Sequence, residues 1–184
     1  MKKLLSLVLA AMMLFSLSAV AMAEDGAGFD EFELGVEGEQ DVGFMTMSMV
    51  YFQPVDMAPA DLAAAKEDSD LHIEVDLTAK ENGYAFPVDQ WVPYLTIDFV
   101  IKDTEGKEVC SGSMMPMAAS DGPHYGNNIK LADGEYSITL YIKSPAENGY
   151  LLHVDSETGV DEKDGFWTEP LEATWTGWTF VKQW

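Results

Sequence analysis

The sequence predicts an all-β sandwich, and three observations predict it. Stretches of alternating apolar and polar residues, rich in β-branched and aromatic side chains, recur about seven times. Gly, Pro, Asn and Asp punctuate the chain between them. No long segment carries a convincing helical period. Strands at such turn-bounded spacing build a two-layer sandwich. A closed barrel of similar strand count has the same spacing, and spacing alone does not separate the two.

Taken in order, the first 23 residues stand outside that domain. Lys2 and Lys3 form a basic start, Leu4 to Val20 is almost unbroken apolar sequence, and Ala21-Met22-Ala23 is a small-x-small cleavage site. Residues 1–23 therefore read as a secretory signal peptide, and the protein is expected to be exported, to the periplasm or the outer face of the cell membrane. No cysteine near the cut offers a lipid attachment point. Residues 24–43 are acidic and read as a mobile arm or a first edge element, and the sandwich domain is expected over 44–184.

Phe44 to Phe52 is a Met-rich strand, ended by Pro54 and Pro59. Ala60 to Lys66 is one helical turn or a loop. From Leu71 to Leu77 the chain alternates cleanly, with Leu71, Ile73, Val75 and Leu77 on one face and His72, Glu74 and Asp76 on the other. Glu81-Asn82-Gly83 is a turn, Tyr94 to Lys102 a strand, and Asp103 to Gly106 turns it into Lys107 to Met115. Met117 to Asn128 reads as a long loop on its Gly, Pro and Asn content. Glu135 to Lys143 is a strong strand, Tyr150 to Val154 a short one, and Leu171 to Val181 closes the chain.

Ten basic residues, all lysine, face 32 acidic ones, for a net charge of -22. That balance excludes a protein that wraps nucleic acid or docks directly on anionic lipid, and it concentrates cations near the surface. A hydrophobic fraction of 47% supports a single real core. The lone Cys110 forms no intrachain disulfide, so stability rests on that core or on an assembly.

No Ser sits in a nucleophile elbow, and His-Glu-x-x-His and Cys-x-x-Cys are absent, so no catalytic residue is assigned. His72 and Glu74 leave one face of a strand and could reach one metal or two neighbouring metals; a solvent-exposed polar face of an edge sheet fits the same pattern. In Met115-Pro116-Met117 and Asp121-Gly122-Pro123-His124, a thioether and an imidazole could converge on a soft ion such as copper, or Met117 could fill the core. His153 stands near the end of a short strand, where a lone His is commonly surface decoration. The Met45, Met47 and Met49 stripe has period two and reads as core packing rather than extra soft-metal sites.

Several ordered motifs carry a resemblance. Val50-Tyr51-Phe52-Gln53-Pro54-Val55-Asp56-Met57 comes first, followed by Leu71-His72-Ile73-Glu74-Val75-Asp76 and Trp91-Val92-Pro93-Tyr94-Leu95-Thr96-Ile97. Met115-Pro116-Met117, Asp121-Gly122-Pro123-His124-Tyr125-Gly126, His153-Val154-Asp155 with Glu157-Thr158-Gly159-Val160, and Trp167-Thr168-Glu169-Pro170 complete the set. From about Met49 to Trp178 the chain closely resembles the bacterial periplasmic iron-transport family of the FetP type. The resemblance implies an immunoglobulin-like β-sandwich, a homodimer, bound copper, and a membrane iron permease as partner. It implies a copper site of His72, Met117 and His124 from one subunit with His153 from the other. It also implies Glu74 as an additional or shifting ligand tied to the iron role, with Met57 and Asp121 in supporting places. The implied function is extracytoplasmic copper and iron binding in iron uptake, without enzymatic activity. A copper-dependent redox enzyme acting on iron and a metal-free structural or adhesion sandwich are the competing readings. The Met stripe has no place in that family pattern, the acidic arm is long, and the net charge is high even for this family.

Overall fold

A computed structural model describes residues 30–184; the expected signal peptide lies outside them. The described elements are nine strands and two short 3-10 turns. The strands are β1 (Phe32–Glu33), β2 (Gln40–Val42), β3 (Met45–Phe52), β4 (Leu71–Ala79), β5 (Thr96–Asp103), β6 (Glu108–Ala118), β7 (Pro123–Ile129), β8 (Gly134–Lys143) and β9 (Leu171–Phe180). Their pairing order is β1-β3-β4-β7-β6-β5-β8-β9, with β2 also on β3, and every pairing is antiparallel. The sequence is folded as the expected β-sandwich.

The two layers meet in β6. That strand pairs with β5 from Glu108 to Met114 and with β7 from Met115 to Ala118. One strand thus contributes to both sheets, with β1–β4 and β7 on one side and β5, β8 and β9 on the other. Alternation fills the space between them: Leu71, Ile73, Val75 and Leu77 of β4 face Ile97, Phe99 and Ile101 of β5 and Ile138, Leu140 and Ile142 of β8 in one core cluster. Trp175, Trp178 and Phe180 of β9 complete it. Met45, Met47 and Met49 are all buried in this cluster, so the stripe packs the core.

The acidic segment before Phe44 carries β1 and β2 and is bonded to both layers. Leu34 is fully buried and its N–H donates to the Met49 carbonyl. The Trp175 indole N–H donates to the Gly38 carbonyl at 2.8 Å, and the Glu37 carboxylate accepts from both the N–H and the hydroxyl of Thr176.

Three local expectations are corrected. The stretch Met117 to Asn128 is not a loop: it holds the end of β6, a turn closed by the Ala119 N–H on the Gly122 carbonyl, and β7. Its glycines suggested a loop, but Gly122 serves the turn at φ 148° and Gly126 lies inside a strand for a reason given below. Tyr150 to Val154 forms no strand, because its surroundings offer ring contacts rather than a strand partner. Tyr150 stacks on Phe86 and packs at a tilt against Tyr94, at centroid distances of 5.7 and 5.2 Å. Finally, the polar face of β4 is not a solvent-exposed one: β4 lies between β3 and β7, and His72 and Glu74 are both buried.

Candidate metal centre

The pairing register explains how distant residues meet. His72 of β4 stands opposite Asn128 of β7, and Glu74 stands opposite Gly126. Across β7's other edge, Met115 pairs with Gly126 and Met117 with His124. Residues two apart share a face, so His72, Glu74, His124, Gly126, Asn128, Met115 and Met117 all fall on the side of the sheet away from the core. This face is not solvated. His72 is 1% exposed and Glu74 and His124 are each 4% exposed. The connection after β3 covers them: Val55, Met57, Pro59 and Leu62 line a cavity of about 450 Å³ with the two histidines, Glu74, Met117 and Asp121.

At its floor, one ligand atom each from His72, Glu74 and His124 lies within 4.8 Å of the others. His124 Nδ1 is 3.2 Å from Glu74 Oε1. His72 Nδ1 is 3.0 Å from Asn128 Oδ1, and the Phe52 ring lies 5.0 Å from the imidazole. Gly126 makes this packing possible. A Cβ there would stand 2.5 Å from His72 Nε2 and 2.9 Å from the Ile73 carbonyl oxygen. The imidazole occupies the space that any side chain at 126 would need.

Burial governs the charges. It pushes Glu74 up to about 8, helped by the carboxylates of Asp76, Asp121 and Glu31. It pushes His72 down to about 4, against the Asn128 hydrogen bond, which works the other way. His124 is also lowered by burial, which outweighs the attraction of Asp76 and Asp121. At neutral pH the His124–Glu74 contact is accordingly a hydrogen bond between neutral groups rather than an ion pair. Neutral imidazoles, a carboxyl group and a thioether in one cavity form a donor set suited to a transition metal, and copper accepts both the nitrogen and the sulfur. Carboxylates around the rim suit a harder ion such as iron.

The cavity thus brings together His72, Glu74, Met117 and His124, with Met57 and Asp121 in its lining. His153 lies elsewhere. Its side chain is 74% exposed, on the loop before β9, with Nε2 3.0 Å from Asp155 Oδ2. Asn128, Gly126 and the covering residues Val55 and Leu62 also belong to the site, and no motif in the sequence singles them out as such. Alternation from His124 through Gly126 to Asn128 was the available signal, hidden by reading the stretch as a loop.

Comparisons with known proteins identify a family and solved structures of similar fold. Residues 28–182 match the family described as Fe2+ transport protein. The 34 kDa membrane antigen of Treponema pallidum (strain Nichols) is 42% identical over 158 residues, covering 83% of this chain and 76% of that protein. Among solved structures, FetP of uropathogenic E. coli strain F11 superposes with a TM-score of 0.74 at 37% identity, covering 85% of this chain and 99% of that one. A copper-bound variant of Campylobacter jejuni P19 gives a TM-score of 0.74 at 36% identity, covering 83% and 98%.

Proposed function

The chain belongs to the Fe2+ transport protein family, and from that premise we propose that it is an exported copper- and iron-binding protein that presents iron to a membrane iron permease. The buried triad of His72, Glu74 and His124 in one cavity with Met117 carries this reading. Copper would be held by the two imidazoles and the thioether, a set that stabilises the ion in both oxidation states. Iron is the cargo, and Glu74, Asp121 and Glu31 supply oxygen ligands for it at the same cavity. That solved relatives include a copper-bound structure supports copper as the ion to test first.

We further propose a homodimer in which His153 of one copy completes the site of the other. Beside it, Leu151 is 87% exposed and Val154 46% exposed, apolar surface suited to being covered by a second copy. Dimerisation and metal binding would then be linked equilibria.

Calorimetric titration of chelator-stripped protein with copper tests the centre. His124→Ala should lower affinity by more than the roughly 10- to 100-fold that losing a supporting hydrogen bond costs. Equal affinities in the two proteins would remove the site. His153→Ala should weaken copper binding without destabilising the fold, and sedimentation of a fully competent, metal-loaded monomer would refute the shared arrangement.

A further inference from the structure

We infer that Asn128 is a positioning residue that locks His72 in one tautomer, with the proton on Nδ1 and Nε2 bare toward the cavity, and ties that imidazole to the roof above it. One buried amide has each of its two ends matched to backbone partners of fixed role. Asn128 is 3% exposed. Its Oδ1 accepts from the Val55 N–H at 3.2 Å, which only an oxygen can do. Its Nδ2 donates to the carbonyl oxygens of Val55 at 2.8 Å and Ala64 at 3.0 Å, which only the amide NH₂ can do. Three backbone groups therefore fix which end of the amide is which. No flipped orientation satisfies any of them.

The atom facing His72 Nδ1 at 3.0 Å is thus an acceptor. The ring nitrogen must donate, so Nδ1 carries the hydrogen. A neutral imidazole has one N–H, so Nε2 is left with a free lone pair. Nε2 is also the atom that overlies Gly126, where the missing side chain leaves room for it. The outer hydrogen bond selects the ligand atom, as in metal sites where a supporting group sets the tautomer.

The same residue reaches both ends of the cover. Val55 lies on the near side of the connection after β3 and Ala64 on its far side, and the residues between them include the cavity-lining Met57, Pro59 and Leu62. Ring orientation and roof position are set by one side chain, so a change in either is transmitted to the other.

The tautomer stands whether or not the metal reading is right; only its consequence for affinity rests on that reading. Nitrogen-15 NMR of the histidines in metal-free wild type reads it directly. The expected result is a protonated, pyrrole-like Nδ1 and a bare, pyridine-like Nε2 for His72. A protonated Nε2 would overturn the inference. In Asn128→Asp the acceptor facing Nδ1 and Val55 remains while both donors are lost. The tautomer should persist, while amide exchange should quicken at the residues of the connection, 55–64. In Asn128→Ala the Nε2-protonated form should appear, and copper affinity should fall about 10- to 100-fold. A tautomer unchanged in Asn128→Ala would also overturn the inference. If Asn128→Ala does not fold, the wild-type spectrum and Asn128→Asp still decide the matter. Wild type that shows the expected tautomer but takes up no copper would instead refute the proposed function.

Discussion

Glu74 makes the metal-free protein lose stability as the solution turns alkaline, and Glu74→Gln should abolish that loss. In the folded chain Glu74 keeps its proton up to about pH 8, against an ordinary value of 4.5. Between those values the native state holds one more proton than the unfolded one, so raising the pH favours unfolding. This contribution is fully present below 4.5 and gone above 8. His72 acts in the opposite sense. Its native value of about 4 lies below the ordinary 6.5, so between them the native state holds one proton fewer and raising the pH stabilises. Each slope is about 1.4 kcal/mol per pH unit. From 4.5 to 6.5 the two cancel, and His124, also lowered from 6.5, adds only a rise within that lower range. From 6.5 to 8 neither histidine contributes, and losing the Glu74 contribution should lower stability by about 2 kcal/mol; Asp76 and Glu31, also raised by burial, act in the same sense. Urea unfolding of chelator-treated protein across this range measures it. Glu74→Gln should be flat from 6.5 to 8, since the amide carries no charge in either state. Wild-type stability that holds or rises there, or a variant that falls in parallel, would refute the reasoning.

Other outcomes follow from the same geometry. A metal that takes Glu74 as a ligand must displace its proton at neutral pH. Calorimetry in buffers of different ionisation enthalpy should find about one proton released per ion in wild type and about none in Glu74→Gln. Gly126→Ala places a methyl 2.5 Å from His72 Nε2 and 2.9 Å from a backbone oxygen, so it should cost about 1–3 kcal/mol in urea unfolding and turn the imidazole away from the cavity. Met47→Ala, at a fully buried position of the core, should cost about 2–5 kcal/mol while leaving metal uptake intact.

The strands that carry the core were legible because their alternation is unambiguous. Leu71, Ile73, Val75 and Leu77 can share only one face, and the structure buries all four. His72 and Glu74 were legible as a pair for the same reason. Their burial was not, because it depends on a covering segment whose path is set by the Asn128 hydrogen bonds at 55 and 64. The strand β7 was obscured by its composition. Gly126 and two asparagines look like turn chemistry in one dimension, yet the glycine clears space for an imidazole and Asn128 answers three backbone groups. The ring contacts that hold Tyr150 in irregular structure join residues far apart in the chain, and no local pattern announces them.

That β6 threads both layers bears on how the molecule comes apart. Met117 sits on the wall of the cavity, yet its strand is knitted upstream to Phe99 and Ile101 at the heart of the opposite layer. The cavity wall has no seam of its own along which to detach. Amide protons on either half of β6 should exchange with deuterium through one shared opening, and the ligand pocket should persist as long as the fold itself does.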